Sequence, residues 1–82
     1  MHALLNAIAT LPLPTDAQRM FHGRGGLHPG SEMWALDWFA PAWVLTCYDA
    51  ADAAQLQTLG EALRARWQAI APDQPNALTF LQ

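Results

Sequence analysis

The side chains best suited to chemistry in this 82-residue chain are crowded between residues 22 and 37. His22 and His28 flank the run Gly23-Arg24-Gly25-Gly26, and Ser31 and Asp37 follow. A glycine-rich loop can offer backbone N–H groups to a phosphate, but such a loop normally feeds a helix N-terminus whose dipole assists. Here Leu27-His28-Pro29-Gly30 follows. That reads as a type II turn, with Pro29 presetting φ and Gly30 supplying the positive φ after it. The loop is therefore expected to be a plain connection. Two histidines do not make a zinc site without further ligands, and nothing in the spacing demands that Cys47 or Asp37 join them. Ser31, His28 and Asp37 lack the nucleophile elbow and oxyanion donors of a hydrolase triad. Asp37 lies inside an apolar run, so it is expected to face solvent opposite Val44 or to bond a neighbouring backbone group or an arginine. Cys47 also lies in an apolar run and reads as a small core residue. As the single cysteine it cannot form an internal disulfide, which fits a reduced, cytoplasmic setting.

Composition narrows the partners. Seven Asp and Glu against four arginines, with no lysine, give a formal charge of −3. Nucleic-acid binders that work alone usually carry a basic face that displaces counterions from phosphates. Contact with RNA is therefore expected to be weak for this chain alone and to need another domain. Hydrophobic residues make up 52% of the chain, which together with the low charge excludes a disordered segment. No apolar run approaches the roughly 18–20 residues of a membrane span. The start, Met1-His2-Ala3-Leu4-Leu5-Asn6, has no basic region ahead of an apolar one, so no signal peptide is expected. The length fits one domain. A domain of this size buries only about 60–65% of its unfolded surface and is marginal or leans on a partner. Trp34, Trp38, Trp43 and Trp67 are the unusual excess; they supply a core or an apolar patch.

The elements that must position these residues follow from periodicity. Leu4, Leu5 and Ile8 predict a short helix over 3–10, ended by Pro12 and Pro14. Residues 15–19 read as one further helical turn with Thr15 as N-cap, and 20–22 as a short strand. Residues 33–39 and 42–48 read as an antiparallel hairpin joined by Ala40-Pro41. That register sets Trp38 against Trp43, Leu36 against Leu45 and Trp34 against Cys47, all on one wholly apolar side assigned to the core. Pro41 makes so tight a turn awkward, so a longer loop with a shifted register is the alternative. The other side carries Met33, Ala35, Asp37 and Phe39 against Tyr48, Thr46, Val44 and Ala42. Exposed Phe39 and Tyr48 would be the better candidates for stacking bases, with no arginine evident around them. Leu56, Leu59, Leu63, Trp67 and Ile70 mark a long helix over 50–71, with Asp49 as N-cap and Pro72 as stop. Gly60 is its weak point. Residues 77–81 form a last strand, expected to lie parallel to the strand at 42–48 through a crossover. The fold class is α+β: a small antiparallel or mixed sheet packed on one long helix, with a short N-terminal helix.

The run from Phe21 to Phe39, with Pro29-Gly30 and Leu36-Asp37-Trp38-Phe39 inside it, resembles a segment ahead of the catalytic domain in one methyltransferase family. This is the 23S rRNA cytosine-5 family of class I S-adenosylmethionine-dependent enzymes. Its members carry Leu-Pro-Gly-Leu, an apolar strand ending in Val-Asp-Arg-Tyr or Phe, a Gly turn, a second strand, a long helix and another strand. Pro29-Gly30 matches the Pro-Gly, Leu36 to Phe39 the Val-Asp-Arg-Tyr position, 42–48 the second strand, 49–71 the helix and 77–81 the next strand. Trp38 stands where the family has Arg, and Ala40 where it has Gly. The resemblance spans about residues 20–82. No glycine-rich cofactor loop after a strand and no Pro-Cys catalytic cysteine occur. The resemblance thus implies a single non-catalytic accessory domain over 1–82. S-adenosylmethionine would be bound by a catalytic domain elsewhere in the polypeptide, and RNA would be its substrate. On this reading His22, Arg24, His28 and Asp37 are the candidates for substrate or interdomain contact. The other reading is a stand-alone module that forms homodimers through its aromatic sheet face or an unpaired strand edge.

Overall fold

A computed structural model describes residues 1–23 and 31–81 of the chain. The elements run α1 (His2–Ala9), β1 (Gln18–His22), β2 (Trp34–Phe39), β3 (Ala42–Cys47), α2 (Ala53–Ile70) and β4 (Ala77–Leu81). The four strands form one mixed sheet in the order β1-β2-β3-β4. The α+β class is therefore as the periodicity indicated. The Gly25-Gly26 loop and the turn at Pro29-Gly30 lie outside the described residues.

The hairpin takes the tight register. Trp38 pairs with Trp43, Leu36 with Leu45 and Trp34 with Cys47 across an antiparallel ladder. Phe39 pairs with Ala42, so Pro41 is the third residue of a four-residue turn; the Ala40–Pro41 peptide is cis. β3 and β4 run parallel, from Ala42 opposite Ala77 to Thr46 opposite Leu81. A parallel neighbour cannot be reached by a tight turn, so α2 makes the crossover.

Two local expectations are corrected. Residues 15–19 do not form a helical turn; Gln18 and Arg19 belong to β1, where they pair with Trp38 and Asp37. Pairing and an ion pair with β2 outweigh a weak local signal. The long helix starts at Ala53, not at residue 50, and its N-cap is Asp52 instead of Asp49. Asp52 accepts from the Gln55 amide at 2.8 Å, and Gln55 Oε1 accepts from the Asp52 amide at 3.2 Å. This reciprocal box satisfies two orphan donors, more than a single cap would. Asp49 instead accepts from the Ala50 amide through Oδ1 and from the Cys47 thiol through its carbonyl.

The core lies between the tryptophan side of the sheet and the two helices. Leu4 and Ile8 of α1, Leu59, Leu63 and Trp67 of α2, and Trp34, Leu36, Trp38, Trp43, Leu45 and Cys47 of the sheet are one buried cluster. Trp38 meets both Trp43 and Trp67 at 4.8 Å between ring centroids, and Trp43 meets Trp67 edge-on at 5.6 Å. Such tilted and T-shaped contacts suit the ring quadrupoles. Arg66 donates from Nε and Nη2 to the Leu11 carbonyl at 2.9 and 2.7 Å, tying α2 to the chain leaving α1.

Gly60 is buried in mid-helix, not exposed. A Cβ there would sit 3.5 Å from Leu78 Cδ2 and 3.4 Å from Arg64 Nη1, ordinary packing distances. Gly60→Ala is therefore expected to stabilise the domain by up to about 1 kcal/mol through reduced unfolded-state entropy. Urea denaturation measures it. A loss would mean that β4 cannot yield even a few tenths of an ångström.

Candidate functional site

Polar chemistry in the described residues gathers on the sheet side opposite the tryptophans. Strand alternation places Arg19 and His22 of β1, Asp37 and Phe39 of β2, Val44 and Thr46 of β3, and Thr79 and Leu81 of β4 on this side. The pairings align Arg19 with Asp37, Asp37 with Val44, and Val44 with Thr79 in one row. Its centre is a fork. Arg19 Nε donates to Asp37 Oδ1 at 2.8 Å and Nη2 donates to Oδ2 at 3.1 Å. The Asp37 side chain is 10% exposed, whereas that of Arg19 is 44% exposed. The carboxylate is thus sunk in the sheet while the cation reaches the surface. Such two-pronged charge-assisted bonds are strong and orient both groups.

The remaining nitrogen of the guanidinium, Nη1, donates to His22 Nδ1 at 3.2 Å. Arginine has no acceptor, so this bond requires the unprotonated Nδ1 of His22. Asp37 therefore bonds an arginine, one of the outcomes expected for a carboxylate in that run. The hydrogen bond to Asp37 raises the Arg19 pKa above its ordinary value; burial opposes it, and the Asp37 charge and Tyr48 raise it further. A basic group raised in this way contributes its stabilisation in full near neutral pH, below its ordinary range. Its contribution is lost only above the folded value, beyond the arginine range. The pair is no switch near neutrality.

Phe39 (53% exposed) and Tyr48 (46% exposed) flank this pair, and Leu81 adds a third exposed apolar group. The sequence reading placed no arginine near these aromatics; β1 brings Arg19 there. Residues 15–19 read locally as a helical turn, and only strand pairing sets Arg19 opposite Asp37. The signal available was chemical: a carboxylate in a buried strand needs a cation, and the chain has only four.

Of the sequence candidates, His22 and Asp37 are brought together, bridged by Arg19. Arg24 and His28 lie outside the described residues. Gly23 lies against the Ser31 backbone: a Cβ on it would fall on the Ser31 carbonyl oxygen. Only glycine lets the two backbones meet so closely. Among the described residues no group of three His, Cys, Asp or Glu could hold a metal ion. No helix among them is long and apolar enough to cross a membrane. An apolar groove of about 370 Å³ lies between α1 and α2, lined by Leu5, Ile8 and alanines. Its single charged neighbour, Arg66, is engaged with Leu11, so the groove holds no acid–base pair.

No family model matches the chain, and neither a curated protein nor a solved structure matches it.

Proposed function

We propose that the chain is a non-catalytic accessory domain that positions RNA for an S-adenosylmethionine-dependent methyltransferase domain of the same polypeptide. The cofactor would be held by that catalytic domain, and the setting would be the reducing cytoplasm, where Cys47 stays a thiol. One observation supports this reading above the others: a half-open arginine beside two exposed aromatic rings on a sheet. Aromatic rings stack on unpaired bases, and an arginine among them meets a phosphate or stacks in turn. The element order from β1 to β4 also follows the layout implied by the resemblance. One half-open arginine on this side of the sheet among the described residues, in a chain of charge −3, supports only weak binding without the second domain.

NMR titration with a short single-stranded RNA at low salt tests the reading. Shifts are expected at Arg19, Phe39 and Tyr48, with an affinity that falls as salt rises. Tyr48→Ala is expected to weaken binding by about five- to a hundred-fold, the range of one lost base stack. Absence of shifts on this side at millimolar RNA would overturn the RNA reading.

A further inference from the structure

We infer that the free edge of β4 pairs with β4 of a second copy of the chain, antiparallel and centred on Thr79, joining two four-stranded sheets. The inference rests on the sheet's edges alone and is independent of the RNA reading.

The sheet has two edges, β1 and β4, and they are built differently. β1 carries a charged residue, Arg19, and its register with β2 shifts between Arg19 and Phe21. Charges and bulges are the devices that keep edge strands from pairing with other chains. β4 has neither. Its sequence, Ala77-Leu78-Thr79-Phe80-Leu81, contains no charge and no proline, and its register with β3 is unbroken over all five residues. Phe80 and Leu81 are 41% and 49% exposed.

The backbone specifies how the edge can be filled. The Ala77 amide donates to the Pro41 carbonyl at 2.9 Å, so Ala77 turns its peptide groups toward β3. Alternation along the strand does the same for Thr79 and Leu81. It turns the N–H and C=O of Leu78 and Phe80 outward. An antiparallel partner centred on Thr79 sets Leu78 opposite Phe80 of the second copy, and Phe80 opposite its Leu78. Each pair exchanges two backbone hydrogen bonds. All outward groups of the strand are then satisfied, and all five residues find a partner. Centring on Leu78 or Phe80 would leave part of the strand unmatched.

The side chains agree with this register. Leu78 and Phe80 share the α2 side and form two aliphatic–aromatic cross-strand contacts. Thr79 meets Thr79 of the second copy, and Ala77 meets Leu81 of the second copy, on the other side. Identical strands usually repel when charged; this one is neutral, so it can approach itself although the chain as a whole is acidic. These features favour a second copy over a foreign peptide, because the strand is complementary to itself about a twofold axis.

Sedimentation equilibrium on the whole chain, from low micromolar to near-millimolar concentration, tests the inference together with residue-resolved amide exchange. The mass is expected to rise from 9.0 kDa toward twice that value. The Leu78 and Phe80 amides should exchange more slowly as concentration rises, while Thr79, already bonded to β3, should be slow throughout. Phe80→Lys is expected to weaken association by more than about ten-fold, as loss of a central apolar anchor does, with the melting temperature of the dilute monomer unchanged. Should that variant not fold, the exchange data on the unaltered chain still decide. A constant mass of 9.0 kDa overturns the inference. So does a doubled mass with Leu78 and Phe80 exchange independent of concentration, since the contact would then lie elsewhere.

Discussion

Replacing Trp67 by alanine is expected to destabilise the domain by about 3–5 kcal/mol. Trp67 projects from α2 against two of the three tryptophans of the hairpin, 4.8 Å from Trp38 and 5.6 Å from Trp43. It also donates from Nε1 to the Gln74 carbonyl at 3.1 Å, which holds the turn leading to β4. Truncation removes the ring contacts that tie α2 to the hairpin, opens a cavity among rigid rings, and leaves that carbonyl without its donor. A domain of this length has a total stability of roughly 4–12 kcal/mol. The variant should therefore lose at least about a quarter of that stability, and all of it at the lower end of the range. Trp67→Phe separates the contributions: it keeps a ring in the cluster and loses the N–H, so a loss nearer to 1–2 kcal/mol is expected. Urea denaturation followed by far-ultraviolet circular dichroism reads both. A loss below about 1 kcal/mol for the alanine variant would mean that α2 is not anchored through Trp67.

This part of the molecule was legible in the sequence because it follows a period. Steps of three and four along α2 set Leu59, Leu63 and Trp67 on one stripe, and alternation in the hairpin set Trp34, Trp38 and Trp43 on one side. A register error of one residue would have turned the slipped strand's tryptophans into water, so hydrophobicity selects the pairing. Where no period operates, chemistry between distant residues decides, and the sequence reads poorly. Asp49 and Asp52 are equally good caps in isolation; Gln55, three residues after Asp52, completes a box that Asp49 cannot. Thr15 to Arg19 resembles a helical turn until the Asp37 carboxylate, 18 residues on from Arg19, is placed beside it in the sheet. The candidate site was half legible for the same reason. Asp37 and His22 stood out by type, but the arginine joining them belongs to them only through strand pairing.

Arg19→Met is expected to cost about 2–4 kcal/mol. The apolar stem is kept, but the Asp37 carboxylate stays in a nearly closed site with its fork removed, and an uncompensated buried charge costs more than the pair contributed. The figure lies at or below the usual range for buried pairs because Arg19 is nearly half exposed and solvent already screens it. Arg19→Met combined with Asp37→Val should recover most of the loss, to within about 1 kcal/mol of the original chain, since Val44 and Ala35 offer apolar neighbours on adjacent positions. The double-mutant cycle then reports the coupling directly. Because the Arg19 pKa is raised, the guanidinium stays charged and its contribution should not change between about pH 7 and about pH 9. Arg19→Lys distinguishes a fork from a point charge: lysine keeps the charge but cannot satisfy both carboxylate oxygens in one plane, so only part of the stability should return. Should the double variant be no more stable than Arg19→Met alone, the carboxylate would already be solvated without its arginine. Arg19 would then be a surface cation held in place by Asp37, not a counterion required by the sheet.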